Sequence, residues 1–71
     1  MSDKIEQEKL KVLLNHWVEH NRGHAQEFGE WAEKSRELGL AKASGELMLA
    51  AQRLEEANER LLAALEHIQE A

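Results

Sequence analysis

Cysteine, proline, threonine and tyrosine are all absent from the 71-residue sequence, which has two tryptophans and one phenylalanine. Without cysteine the chain can form neither a disulfide scaffold nor a cysteine-based zinc finger, and it has no thiol nucleophile. Only four residues are branched at Cβ, so a sheet would lack the side chains that suit a pleated surface. Short apolar runs argue against a membrane span, and the net charge of −5 argues against binding nucleic acid. These absences predict an all-α, cytoplasmic protein.

Leucine, alanine, glutamate, lysine and arginine supply 43 of the 71 residues, a composition typical of long helices and coiled coils. A chain of this length is expected to form one small domain, residues 1–71, and to bury only about 60% of the surface exposed by its unfolded form. Without disulfides, its stability must come from a metal, from an oligomer or from very regular helix packing.

Two heptad patterns lie on either side of Gly39, a residue type that commonly ends helices in the left-handed conformation. The first pattern comprises Leu10, Leu14, Trp17, Asn21, His24, Phe28, Trp31, Ser35 and Leu38. The second comprises Leu40, Ala43, Leu47, Ala50, Leu54, Ala57, Leu61, Ala64 and Ile68. Folding the chain at Gly39 brings Trp31 opposite Leu47 and Trp17 opposite Leu61. The patterns therefore predict an antiparallel hairpin of two long helices with both tryptophans in its core.

The alternative fold is a three-helix bundle with a break near Gly23. The heptad pattern favours the hairpin because it continues through Gly23, and a glycine inside a helix costs only about 1 kcal/mol. Asp3, with Glu6 three residues later, forms a capping box that predicts the start of the first helix.

Beside the predicted seam, one side of the hairpin is charged and the other is apolar. The charged side is expected to pair Glu27 with Arg53, and Lys34 with Glu46, across the two helices. The apolar side is rich in small residues and comprises Val18, Ala25, Gly29, Ala32, Met48, Ala51, Leu62 and Leu65. Small residues let another helix approach closely, so this stripe is expected to be an oligomer face that pairs two hairpins into a homodimeric four-helix bundle.

Three histidines, His16, His20 and His24, follow one another at intervals of four residues, and Glu27 lies three residues further on. Two histidines separated by four residues on a helix can bind one transition metal, here zinc, nickel or iron. His16 and His24 are about 12 Å apart along a straight helix, so one ion can reach only one pair and a carboxylate.

A structural role for the same region is a central polar layer. Asn21 and His24 fall on the predicted seam, with Asn58 near their level on the second helix and His20 beside them. Such a layer fixes the register and the number of partners at some cost in stability, and charging its histidines near pH 6 would loosen the bundle.

The stretch from His16 to Ala32 has the pattern H-W-x-x-H-N-x-x-H-x-x-x-F-x-x-W-A. This pattern, with the alanine- and leucine-rich second half, resembles a family of small all-helical domains of unknown function. The resemblance covers most of the chain and implies no established chemistry.

The sequence thus predicts a self-associating interaction or assembly module with a central His/Asn layer and no catalytic activity. The alternative is a transition-metal-binding protein that uses His20 and His24 together with His16 or Glu27. An enzyme is disfavoured because no nucleophile, phosphate-binding loop or poised carboxylate pair is evident.

Overall fold

A computed structural model describes residues 2–70 of the chain. Helix α1 spans Ser2–Glu37 and helix α2 spans Ala41–Glu70. The helices pack side by side as an antiparallel hairpin measuring 57 × 14 × 11 Å. The predicted hairpin is therefore confirmed. The three-helix alternative is wrong, because α1 continues through Gly23 without interruption. Asp3 does not cap α1 but lies within its first turn. There the positive end of the helix dipole stabilises its negatively charged carboxylate.

The connection between the helices is a Schellman turn centred on Gly39. The amide of Leu40 donates to the carbonyl of Ser35 at 2.8 Å, and the amide of Gly39 donates to the carbonyl of Arg36 at 3.0 Å. Gly39 has a φ of 80°, in the left-handed region that glycine adopts without steric cost. This geometry ends α1 and reverses the chain, as the sequence predicts.

The two helices meet along a stripe of heptad positions that differs from the predicted seam. The buried or half-buried stripe on α1 consists of Leu14, Val18, Asn21, Ala25, Phe28, Ala32 and Ser35. The stripe on α2 consists of Ser44, Leu47, Ala51, Leu54, Asn58, Leu61, Leu65 and Ile68. Every second member of the predicted seam lies on these stripes; the other members are exposed, except His24 and Ala50, which are half-buried. Each helix is thus rotated about its axis relative to the prediction, while the antiparallel pairing is retained.

The predicted burial of the two tryptophans is wrong. Trp17 is 40% exposed and Trp31 is 56% exposed, whereas Val18 and Ala32, which follow them in the sequence, are 3% and 1% exposed. Small residues in the interface let the two backbones approach closely, and a tryptophan in the same place would hold them apart.

Two hydrogen bonds depend on this close approach. The hydroxyl of Ser44 donates to the carbonyl of Ala32 at 2.7 Å, and the side-chain amide of Asn58 donates to the carbonyl of Val18 at 3.1 Å. Both acceptors are main-chain atoms of the opposite helix. The short side chain of Ser44 reaches the carbonyl of Ala32 only because small residues in the interface let the two helices approach closely.

The single chain has a thin core. Its buried apolar residues are Leu14, Val18, Ala32 and Ala51. The chain exposes 5727 Å², compared with about 4,500 Å² for a compact monomeric protein of this mass. Its radius of gyration is 16.3 Å, compared with about 11 Å for a compact chain of this length. The hairpin therefore presents much more surface than a globular domain of its size. Within the described part of the chain, neither helix is long and apolar enough to cross a membrane.

Candidate functional site

The centre of the hairpin contains a pair of asparagines, of which Asn58 is buried and Asn21 is half-buried. The side-chain amide of Asn21 donates to the side-chain oxygen of Asn58 at 3.0 Å, and Asn58 itself donates to the carbonyl of Val18. Asn58 is only 7% exposed. Among the described residues, every buried side-chain nitrogen and oxygen has a hydrogen-bond partner. The pair is therefore a satisfied polar layer, which favours one register of the two helices.

The histidines predicted for this layer lie outside it. His20 is exposed, and the His24 side chain is 44% exposed on the flank of the interface. Because the stripe that packs against α2 is rotated from the predicted seam, Asn21 points toward Asn58 while His24 points past it. The layer therefore consists of the two asparagines, and the histidines form a separate cluster.

That cluster is a ladder of four rings along α1, which we call the histidine ladder: His16, His20, His24 and Phe28. The ring centroids of successive members are 6.0, 4.6 and 5.9 Å apart. Residues four apart are rotated by about 40° around a helix, so the ladder winds from the exposed side at His16 to the interface at Phe28.

Two members of the ladder bring ring nitrogens together. Nε2 of His20 and Nε2 of His24 are 3.0 Å apart, and Nδ1 of His24 lies 3.3 Å from Oε1 of Glu27. A carboxylate beside Nδ1 favours the tautomer of His24 that carries its proton there. Nε2 of His24 is then an acceptor, and it can accept a hydrogen bond from the N–H at Nε2 of His20. The two Nε2 atoms therefore lie next to each other on the surface of α1.

The structure brings some of the predicted metal ligands together but does not assemble a complete site. His20, His24 and Glu27 are neighbours, whereas His16 contacts this group only through the ring of His20. Within residues 2–70, no group of three or more histidine, cysteine, aspartate or glutamate side chains is arranged to hold an ion. Within the described residues, a single chain therefore offers a metal ion the adjacent imidazoles of His20 and His24 but no complete set of ligands.

The predicted ion pairs between the helices do not form. Glu27 lies beside His24, Arg53 pairs with Glu56 on its own helix at 2.6 Å, and the Lys34 ammonium lies 4.7 Å from the ring centroid of Trp31. The ion pairs between described residues all join positions three apart on one helix. Rotation of the helices moves the predicted partners away from the interface, so charges do not set the register.

The stripe predicted as an oligomer face lies largely inside the hairpin. Val18, Ala32 and Ala51 are buried between the helices, and Ala25 and Leu65 are half-buried there. The remaining members of the predicted face, Gly29, Met48 and Leu62, line one side of the hairpin, where they form shallow grooves with neighbouring polar residues. This stripe is therefore mostly an intrachain interface, and the prediction that it is free to bind a partner is wrong.

The opposite side of the hairpin carries the apolar surface that the sequence prediction placed in the core. We call it the aromatic face. It comprises Leu10, Trp17, His24 and Trp31 from α1, Leu38 directly after that helix, and Ala43, Ala50, Ala57 and Ala64 from α2. All four large apolar members of the α1 row are exposed. The row is spaced by seven residues throughout and has the same order of side chains in both directions, with His24 at its centre.

The protein is thus a small two-helix hairpin with an asparagine pair between its helices, a histidine ladder and a large exposed apolar face. The chain belongs to the family described as Domain of unknown function (DUF8180), whose model matches residues 10–68. The predicted resemblance to small helical domains of unknown function is thus confirmed at the level of the family. Comparison with curated proteins found no match, and neither did comparison with solved structures.

Proposed function

We propose that this protein is a self-associating assembly module whose hairpins pair through the aromatic face into a four-helix bundle. The observation that carries the proposal is the row Leu10, Trp17, His24, Trp31 and Leu38, which is self-complementary and whose four large apolar side chains are exposed. We propose the cytoplasm as its compartment, because a small domain without cysteine has no disulfide support for an oxidising environment.

The symmetry of the row supports a second copy as its partner. In a two-fold dimer, residue i contacts residue j of the other copy, and residue j contacts residue i. A two-fold axis at His24 that makes the two α1 helices antiparallel brings Trp17 of each copy to Trp31 of the other. The same operation brings Leu10 of each copy to Leu38 of the other. Every large apolar side chain of the row then meets another large apolar side chain.

The α2 half of the aromatic face fits the same axis. Its alanines are also spaced by seven residues, and the centre of their row lies between Ala50 and Ala57. The hydrogen bond between Asn21 and Asn58 shows that these two residues lie at the same level along the hairpin. The centre of the alanine row, four to five residues before Asn58, therefore lies near the level of His24 on the antiparallel helix. Alanine lets helices approach closely, so the two α2 helices would pack tightly while the tryptophans fill the wider space between the α1 helices.

The area of the aromatic face is sufficient for a specific dimer. Residues 10–38 span about 42 Å of helix, and the hairpin is 14 Å wide. The face therefore covers about 600 Å² in each copy, or about 1,200 Å² in total, which reaches the lower end of stable interfaces. It is also the surface whose burial would compensate for the thin core of the single chain.

Sedimentation of two variants tests this proposal. Replacing both Trp17 and Trp31 by glutamate should convert a dimer at about 100 µM into the 8.1 kDa monomer. Leu62→Glu and Val12→Glu place the same charge at exposed positions outside the aromatic face and should leave the dimer intact. A wild-type chain that stays monomeric, or a dimer lost in Leu62→Glu but kept in the tryptophan variant, would overturn it.

A further inference from the structure

We infer that dimerisation completes a transition-metal site in which His20 and His24 of one copy and Glu27 of the other are the ligands. The inference rests on the proposed dimer. It assigns two such sites to each dimer, one on either side of the two-fold axis.

The half-site in one chain is nearly preformed. Two nitrogens bound to one tetrahedral zinc ion at about 2.05 Å are separated by about 3.3 Å. The Nε2 atoms of His20 and His24 are 3.0 Å apart, so the rings need to separate by only a few tenths of an ångström. Without metal, the two nitrogens share one proton as a hydrogen bond. When the ion binds, the single ring proton of His20 transfers from Nε2 to Nδ1 through water, which leaves the Nε2 lone pairs of both histidines for the metal.

The two-fold axis at His24 places a third ligand, Glu27 of the second copy, beside the histidine pair. The point to which His20 and His24 converge lies near the level of residue 22 along α1. An antiparallel copy related by an axis at His24 places its own Glu27 at the level of residue 21. The carboxylate of the second copy therefore reaches the open side of the histidine pair, within about one residue rise of it.

The chemistry of the ligand set is suited to a divalent transition metal. Two neutral imidazoles and one carboxylate are the protein ligands of several catalytic zinc centres, and the same set with open positions binds ferrous iron. One ion would thus keep at least one position for water. Arg53, which the sequence analysis placed opposite Glu27, is paired with Glu56 on its own helix, which lowers its repulsion of a cation.

The exposure of Glu27 allows this change of partner. Its side chain is 65% exposed. In the single chain its Oε1 lies 3.3 Å from Nδ1 of His24, a contact on the surface of the hairpin. A surface contact of this kind contributes little to stability, so the carboxylate can turn to a metal ion across the dimer.

Calorimetric titration of the untagged full chain with zinc at pH 7.5, at about 100 µM protein, gives the primary test. We expect one zinc per chain with a Kd below about 1 µM, and loss of this binding in His20→Ala and in His24→Ala. His16→Ala is the matched control from the same ladder and should bind like wild type. Equal loss in His16→Ala, or wild-type binding in His20→Ala, would overturn the site.

Complementation between two variants tests whether Glu27 acts across the dimer. Glu27→Gln retains the histidine pair and should bind zinc at least about tenfold more weakly. The double variant His20→Ala/His24→Ala retains only the carboxylate and should not bind. Mixing the two should restore one tight site per heterodimer. If mixing restores nothing although the variants form dimers, Glu27 acts within its own chain and the intersubunit site is wrong.

Mass in solution separates failure of the site from failure of the dimer. A metal-free dimer that binds no zinc would overturn the site and leave the dimer standing. A chain that is monomeric without zinc and dimeric with it would support the site while overturning the metal-free dimer. A monomer under both conditions would overturn both.

Discussion

The side-chain amide of Asn21 donates a hydrogen bond of 3.0 Å to the side-chain oxygen of Asn58, which uses its own amide to bind the carbonyl of Val18. This pair ties α1 to α2 at the middle of the hairpin. It also sets the level at which the histidine ladder and the alanine row lie opposite each other.

Replacing Asn58 by alanine should destabilise the protein by about 1–3 kcal/mol, because the amide of Asn21 loses its buried acceptor. Urea denaturation at fixed protein concentration measures the loss. Asn15→Ala is the control, since Asn15 is exposed and its amide bonds only to the carbonyl of Lys11 on its own helix. An equal loss in the two variants would show that the asparagine pair has no special role.

Two glycine substitutions should change stability in opposite directions. Gly39→Ala should lower the free energy of unfolding by about 1 kcal/mol, because alanine is strained at a φ of 80°. Gly23→Ala should raise it by about 0.5–1 kcal/mol, because Gly23 lies inside α1 and a Cβ there meets nothing within 4 Å. Thermal unfolding followed by circular dichroism measures both. A stabilising Gly39→Ala would contradict the assigned turn.

Ala32→Leu should destabilise the hairpin by about 1–3 kcal/mol or more. Ala32 is 1% exposed and its carbonyl accepts the bond from Ser44, so a larger side chain forces the helices apart and breaks that bond. Ala41→Leu adds the same atoms at an exposed position and should be nearly neutral. If both variants unfold at the same urea concentration as wild type, the helices do not approach as closely as described.

Tryptophan fluorescence should depend on protein concentration. Trp17 and Trp31 are exposed in the single hairpin, and the proposed dimer removes both from water. Dilution should therefore shift the emission to longer wavelength as the dimer dissociates. Val12→Glu should retain this shift. An emission maximum that stays constant from about 1 µM to 100 µM, with the mass changing from dimer to monomer, would exclude the tryptophans from the interface.

The heptad patterns were sufficient to predict the number of helices, the turn at Gly39 and the antiparallel pairing, but not the rotation of each helix. Along α1, apolar residues occupy three neighbouring rows, represented by Val18, Phe28 and Trp31. Periodicity assigns the same spacing to every row, so it cannot say which two pack within the chain. The small residues beside Val18 decided the outcome, since they permit contacts from side chain to main chain that tryptophans would prevent.

For the same reason, the candidate site was only partly predictable. The spacing of His16, His20 and His24 indicated a shared helix face, and the approach of two Nε2 atoms followed from it. The position of His24 beside the asparagine layer and at the centre of the apolar row could not be predicted from spacing alone.

Sequence alone was enough to predict the helices, their reversal at a glycine and the shared face of the histidines. These properties depend on local backbone preference and on the chemistry of single side chains. The packing of the two helices against each other then selects which apolar row is buried and which stays in water. That choice depends on how closely two backbones can approach, and this distance is a property of both helices together.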